Sequence, residues 1–470
     1  MATPSKPQAS STTADPSLSS FIGIYEQEES RFIREWSELL SFKSISTDPA
    51  FDGECRRTAE WLVGHLTKIG FSARLLETSS KPTVFAEFKG KVGAKRVLFY
   101  GHYDVQPVDP LEDWTSEPFS PELREGRLYA RGAQDNKGQT FYFLKALETL
   151  IARSELATSV TLLLEGEEEC GSEGFAQALP GWKDLVQADV LMVCDTGALA
   201  AGVPFVTMGL RGLVSLEITL GGIHHDLHSG ALGGVVRNPA TELARLIASL
   251  HRPDGSIAVS GYYDEVTEFS AEDRALANRS WPSDDKITAL LGVPPVGGER
   301  FYSPPERRGF RPTIEVNGMY SGYQGPGGKT IIPSVATAKL TSRLVARQNP
   351  ERCLKLLIDH LKAHAPEGLE FKIVASRVGG PALALSSADE LIQRARRVLD
   401  TLGPVPAQFT WEGGSIPIVA ELVKVSGARP LLVGFGLEED RIHAPNESFA
   451  LSQFRLGFLY ACAMLSELSR

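Results

Sequence analysis

The sequence predicts an α/β fold with helices on both faces of a sheet, interrupted by a smaller inserted α+β domain. Three observations carry that expectation. At 470 residues the chain is too long for a single hydrophobic core. Short apolar runs alternate with helical stretches through its first 200 or so residues. The texture then changes near Leu213 and reverts after Gly379-Gly380-Pro381, which places one domain inside the other.

The first residues, MATPSKPQASSTTADPSLSS, are rich in Ser, Thr, Pro and Ala and have no apolar core. Residues 1–18 therefore read as a disordered tail, without the features of a signal peptide or a membrane anchor. Phe21, Ile24, Tyr25, Phe32, Trp36, Leu39 and Leu40 recur at helical spacing, as do Trp61, Leu62, His65, Leu66 and Ile69, giving two amphipathic helices. Strand RVLFYG (96–101), a helix near 139–152, and strands VTLLLEG (160–166) and VLMVCD (190–195) follow and complete a first part over 19–212. The inserted domain, 213–381, opens with the alternating strand LVSLEITLGG and a helix begun by Asn238-Pro239. A Pro- and Gly-rich passage then runs from about 292 to 328, before the strand TIIPSVATAKLTSRLV and the helix PERCLKLLIDHLKAHAP. The α/β texture resumes over 382–470 with a helix near 388–401, the strand PLLVGFG (430–436) and a helix near 449–468. No internal repeat is visible.

Composition excludes several classes of function. A 42% apolar and 23% charged chain suits a globular protein, and a net charge of -10 without a basic stripe argues against a nucleic-acid partner. No apolar run has the length that spans a bilayer, so a membrane partner is not expected. Cys55, Cys170, Cys194, Cys353 and Cys462 include no C-x-x-C pair, which argues against a disulfide framework and against a thiolate-held zinc. A reducing, cytoplasmic setting is the simplest expectation.

In an open α/β sheet, ligands bind where strands deliver their C-terminal ends. Past those ends stand His102 and Asp104, the glutamates Glu165, Glu167, Glu168 and Glu169, then Asp195, and His443 in DRIHAPNES. Asp135 joins them from the glycine-flanked RGAQDNKG. Each has an ordinary reading when taken alone. A histidine after a strand is commonly structural, and a glutamate run commonly caps a helix. Their convergence points to divalent metal ions bound through imidazole nitrogen and carboxylate oxygen. Packed carboxylates repel one another, and a dinuclear site with a bridging carboxylate offsets that repulsion. Asp104, two residues after His102, suits the role of accepting the other imidazole N–H. Strand alternation does not choose among the four glutamates, because the period-2 constraint is lost once the chain leaves the strand.

The runs GHYDVQP (101–107), RGAQDNKG (131–138), EGEEECGSEG (165–174), CDTG (194–197), DLHSG (226–230), EGGSIP (412–417) and HAPNES (443–448) occur in order. On them, the chain resembles the dinuclear-metal family of carnosinase-type dipeptidases, glutamate carboxypeptidases and aminoacylases from about residue 20 to the C-terminus. The resemblance implies a zinc-exopeptidase-like catalytic domain with a mixed sheet and an inserted lid and dimerisation domain. It implies that His102 and Asp195 hold one metal, Glu169 and His443 the other, and Asp135 bridges both. Glu168 becomes the general base that takes a proton from the attacking water and passes it to the leaving amine. Where the family often has a second Asp after the bridge, this chain has Asn136. His228 is implied to reach a partner subunit's site and stabilise the oxyanion, while His224 and His225 have only proximity to recommend them. Arg343 is implied to bind the substrate carboxylate, with Thr330, Gly413, Gly414 and Ser415 lining the pocket. GYQGPGGKT (322–330) is not a phosphate loop, since five residues separate Gly322 from Gly328-Lys329-Thr330 and a strand follows.

The resulting expectation is a cytoplasmic, homodimeric metallopeptidase. It would cleave dipeptides or short peptides next to a free C-terminal carboxylate with two divalent ions, zinc first and manganese or cobalt as alternatives. An N-acyl amino acid amidohydrolase is the alternative enzyme. A catalytically dead binding protein ranks below both, because every ligand and base position is filled.

Overall fold

A computed structural model describes residues 16–470. Most of the tail expected over 1–18 lies outside the described residues, and its last residues belong to a helix, Pro16–Leu40. The main sheet has eight strands in the spatial order Ser72–Leu76, Thr83–Phe88, Ser159–Glu165, Arg96–His102, Val190–Val193, Arg429–Leu432, Phe205–Thr207 and Gln408–Thr410. Arg96–His102 pairs in parallel with both of its neighbours, while Thr83–Phe88 joins antiparallel, so the sheet is mixed.

Alternation along the strand Arg96–His102 shows why helices must cover both faces. Val97 and Phe99 enter one core with Trp36, Phe141, Phe454 and Phe458. Leu98 and Tyr100 enter another with Leu163, Leu191, Ile418 and Leu422. With neither face polar, each needs its own layer of helices. Lys137–Ala152 and Leu451–Leu468 supply the first layer and Pro417–Ser426 belongs to the second.

The second sheet has four antiparallel strands in the order Thr313–Ser321, Ala336–Leu344, Gly212–Gly221 and Glu370–Gly380. In Gly212–Gly221 buried and half-buried residues alternate strictly. Val214, Leu216, Ile218 and Leu220 face a separate core under the helices Pro239–Ala248 and Pro350–His364. The chain enters and leaves this unit side by side, since Leu213 pairs with Gly380 and Leu210 with Leu383. A side chain on Gly212 would begin 2.8 Å from the Gly380 carbonyl, so the crossing requires glycine there. TIIPSVATAKLTSRLV, expected as one strand, divides at Pro333 into Ile331–Ile332 and Ala336–Leu344. Proline offers no N–H to a ladder, and the shorter piece pairs with Leu227–His228 instead.

One buried cation anchors the N-terminal helix. Lys145, fully buried on Lys137–Ala152, donates to Glu35 at 2.5 Å, Glu148 at 2.7 Å and His65 Nε2 at 3.0 Å. Burial first, and the nearby Lys145 charge second, hold the His65 pKa down to about 3, so its ring accepts that bond as a neutral base. Glu35, His65 and Glu148 have metal-ligand spacing, and the Lys145 ammonium sits among them as their partner. Lys145→Ala leaves the carboxylates without it and is expected to cost about 3 kcal/mol of stability. Chemical denaturation checks this, and a midpoint equal to that of the parent chain would contradict it.

Candidate metal centre

Three parallel strands deliver their ends to one edge of the main sheet. His102 closes Arg96–His102, Glu165 closes Ser159–Glu165, and Cys194-Asp195 follows Val190–Val193. Past Glu165 the chain makes a short turn of 3₁₀ helix over Glu168–Cys170, which ends in a left-handed Gly171. Asp135 lies just before the helix Lys137–Ala152, and His443 sits in the loop between Arg429–Leu432 and Leu451–Leu468, in the left-handed backbone region.

The five expected ligands come together as two triads that share Asp135. His102 Nε2 lies 3.2 Å from Asp135 Oδ1 and 3.7 Å from Asp195 Oδ2. His443 Nε2 lies 2.9 Å from Asp135 Oδ2 and 3.3 Å from Glu169 Oε2. In each triad the donor atoms lie within 4.8 Å of one another. Each oxygen of Asp135 therefore faces a different histidine, which is the arrangement a bridging carboxylate needs.

Burial and crowding set the charges. Burial pushes Asp195 up to about 7, reinforced by the Asp135 and Glu169 charges. Burial and the Asp135 charge also raise Glu169, and burial drives Glu168 well above the carboxylate range. Burial opposes ionisation of Asp135 too, but the two histidines beside it hold its carboxyl low. His443 rises to about 11 through its hydrogen bonds with Asp135 and Glu169. His102 rises well above the imidazole range despite its burial, because Asp104, Asp135 and Asp195 surround it. So many carboxylates ionise together only beside compensating positive charge, and the histidines alone are too few. The residues fit a pair of divalent cations: nitrogen and oxygen donors, a shared carboxylate, and a His102 Nε2 that is buried without a hydrogen-bond partner.

Neighbouring groups hold these donors in place. His102 Nδ1 meets the Asp104 carbonyl at 3.1 Å and its carboxylate at 3.3 Å, which leaves the Nε2 lone pair for a metal. The same carboxylate accepts from Ser46 Oγ at 2.6 Å and from the backbone N–H groups of Glu168 at 3.2 Å and Glu169 at 3.0 Å. Asp104 thereby orients a ligand histidine and the glutamate turn together. Asn136 donates to Asp195 Oδ1 at 2.7 Å, so the amide holds the carboxylate that a second Asp would repel. Glu165 and Glu167 belong to neither triad: Glu165 bonds Tyr100 and Ser172, and Glu167 bonds the Phe175 N–H.

Sequence reasoning missed Glu447 and Gln106. Glu447 is buried; its Oε2 accepts from Arg131 and from the Gly132 N–H, each at 2.8 Å, and its Oε1 from the N–H groups of Gln134 and Asp135, each at 3.0 Å. It pins the loop that carries the shared ligand. Gln106 Nε2 donates to Glu169 Oε2 at 2.7 Å. Both lie within HAPNES and GHYDVQP, which was the available signal.

The remaining expected residues lie on the inserted domain or on the segment facing it. Arg343 Nη1 donates to Ser415 Oγ at 2.7 Å, and the Gly414 carbonyl accepts from the Arg211 N–H at 2.9 Å. His228 is exposed and pairs with Ile331 beside Thr330, whose carbonyl accepts from the Ser229 N–H at 3.0 Å. No hydrogen bond or ion pair joins His228 or Thr330 to the triads among the described residues. His224 and His225 are exposed and belong to neither triad.

Comparison with known proteins gives a consistent picture. The model of peptidase family M20/M25/M40 matches residues 98–467. The chain is 28% identical to the Cys-Gly metallodipeptidase of Schizosaccharomyces pombe over 478 residues, covering 96% of this chain and 98% of the relative. It is 26% identical to the Beta-Ala-His dipeptidase of Rattus norvegicus, covering 96% and 95%. Among solved structures, an M20 family metallo-carboxypeptidase from Sulfolobus solfataricus superposes with a TM-score of 0.83 at 30% identity, covering 93% of this chain and 99% of that one.

Glu447→Gln turns an amide N–H₂ toward backbone donors and is expected to weaken divalent-metal affinity by about 10- to 100-fold. Competition with a chromogenic chelator checks it. Unchanged affinity would show that the loop holds Asp135 unaided.

Proposed function

The chain belongs to peptidase family M20/M25/M40, and from that premise we propose that it is a metal-dependent dipeptidase cleaving the peptide bond next to a free C-terminal carboxylate. The observation that carries this is the sharing of Asp135 between the two ligand triads. The names of the relatives, Cys-Gly and Beta-Ala-His dipeptidases, support dipeptides as the substrate class.

In this reading His102 and Asp195 hold one cation, Glu169 and His443 the other, and Asp135 contacts both. Such a pair, when bound, supplies Lewis-acid polarisation of a carbonyl and a lowered pKa for water. Zinc suits these nitrogen and oxygen donors, with manganese or cobalt as alternatives. No hydrogen bond ties the Glu168 carboxylate to another described side chain, so it is free to take a proton from the attacking water and deliver it to the leaving amine nitrogen. Arg343, held against Ser415, receives the substrate carboxylate.

His228 is proposed as the oxyanion donor in a partner subunit, in a homodimer formed through the inserted domain. Its Nδ1 accepts from the Gly230 N–H at 3.0 Å and the Ala231 N–H at 3.2 Å, so the ring proton sits on Nε2. The exposed face of the ring is therefore a donor, the polarity that a developing oxyanion needs. The proposed location is cytoplasmic, supported by five cysteines that remain unpaired thiols.

A panel of dipeptides and N-acetyl amino acids, run on metal-stripped protein reconstituted with zinc, manganese or cobalt, tests the reading. Activity confined to acyl amino acids would replace dipeptidase with amidohydrolase. Glu168→Gln is expected to keep both metals by elemental analysis and to lose about 10³-fold in kcat, and metal loss in that variant would contradict the base role. His228→Ala is expected to keep both metals and lower kcat by about 10²-fold with less effect on KM. Parent-level turnover would remove His228 from the mechanism.

A further inference from the structure

Three arginines, Arg211, Arg308 and Arg343, converge on residues 412–415. Arg308 is ion-paired with Glu412 and so is neutralised locally. Among the described residues, the Arg343 side chain bonds the Ser415 hydroxyl alone, at 2.7 Å. Arg211 donates its backbone N–H to the Gly414 carbonyl at 2.9 Å and its Nε to the Gly413 carbonyl at 2.8 Å. Its Nη1 is buried without a hydrogen-bond partner. Arg211 and Arg308 are close: a side chain on Gly413 would begin 3.3 Å from Arg211 Nη2 and 3.1 Å from Arg308 Cγ. Burial first, then the Arg343 and Arg308 charges, bring the Arg211 pKa down to about 10.

Neither Arg211 nor Arg343 has a carboxylate within ion-pair distance among the described residues. Two partly buried guanidinium groups are thus anchored on one three-residue segment with no ion-pair partner of their own among the described residues, Glu315 acting on Arg211 only at longer range, in a chain whose net charge is -10. Such an arrangement is unfavourable unless an anion completes it. The α-carboxylate of a substrate balances one guanidinium and leaves the other uncompensated.

Resting on the dipeptidase reading, we infer that Arg211 and Arg343 together form a subsite for a C-terminal substrate residue that carries a second carboxylate on its side chain. The planar forks of two arginines suit two carboxylates, whereas a neutral side chain leaves Arg211 unmatched. If Arg211 served only to brace Gly413 and Gly414, acidic and amide side chains would be cleaved alike.

The test compares X-Glu with X-Gln and X-Asp with X-Asn on the metal-loaded parent protein, the N-terminal residue X being held constant. The acidic member of each pair is expected to have a kcat/KM larger by about tenfold or more. In Arg211→Met that ratio is expected to fall toward one, whatever the absolute loss of rate. Arg211→Lys keeps the charge without the fork, and its ratio is expected to lie between the two, which also covers a Met variant that fails to fold. A parent ratio of one or less, or a ratio unchanged by either substitution, overturns the inference. Equilibrium binding of free glutamate against free glutamine to the metal-loaded protein separates this from the activity itself. If no dipeptide is cleaved, the dipeptidase reading falls, while tighter glutamate binding lost in Arg211→Lys or Arg211→Met still upholds the subsite and equal binding sinks it.

Discussion

The crowding of carboxylates around Asp135 is the constraint on which the rest of the molecule depends. Asp135, Glu168, Glu169 and Asp195 converge with only His102 and His443 to offset them. Left to themselves these groups separate or take up protons, and the upward shifts at Asp195, Glu168 and Glu169 register that pressure. Holding them together requires a rigid frame behind and positive charge in front. The parallel strands supply the frame, because strands in register deliver their ends to one edge at a fixed spacing of ~4.8 Å.

Much of the framing is done by carboxylates that belong to neither triad. Asp104 accepts the backbone N–H groups of Glu168 and Glu169 and also faces the His102 ring. Glu447 collects Arg131 and three backbone N–H groups from the loop that ends in Asp135. Each turns a mobile connection into a fixed one at the place where a small displacement would separate a ligand pair. Acidic groups therefore serve two purposes here: some face where positive charge is needed, and others are already satisfied by backbone donors and arginine.

These two purposes mark what was legible in the sequence. The mixed sheet was readable because a strand buried on both faces leaves a continuous apolar run such as RVLFYG, and the inserted sheet because LVSLEITLGG alternates. The triad residues were visible as polar groups just past those runs. The register of the glutamate run was not, since the chain turns at Glu168–Cys170 and no period survives the turn; only the family pattern separated Glu168 and Glu169 from Glu165 and Glu167. Glu447 and Gln106 escaped because a side chain that bonds backbone or one distant carboxylate imposes no pattern on its neighbours. The break at Pro333 was available from chemistry alone, as proline cannot donate to a ladder. The Lys145 network was hidden for another reason: Glu35, His65 and Glu148 come from three helices whose packing had to be known first.

The two domains meet through apolar packing of Phe269 and Phe310 on Trp411 and through three arginines on the inserted side. Arg343 reaches Ser415, Arg308 reaches Glu412, and Arg377 donates to the Gly171 carbonyl at 2.7 Å. Gly171 ends the turn that carries Glu168 and Glu169, and its φ of 99° is a left-handed backbone position that favours glycine. Leu213 pairs with Gly380 and Leu210 with Leu383, and Ala277 and Phe310 of the inserted segment pack with Phe409 and Trp411 into the main core, so the inserted domain is fixed at more than its crossing strands. The setting of Arg343 and the setting of the glutamate turn are therefore properties of the two units packed together rather than of either alone, since each depends on a bond that crosses between them.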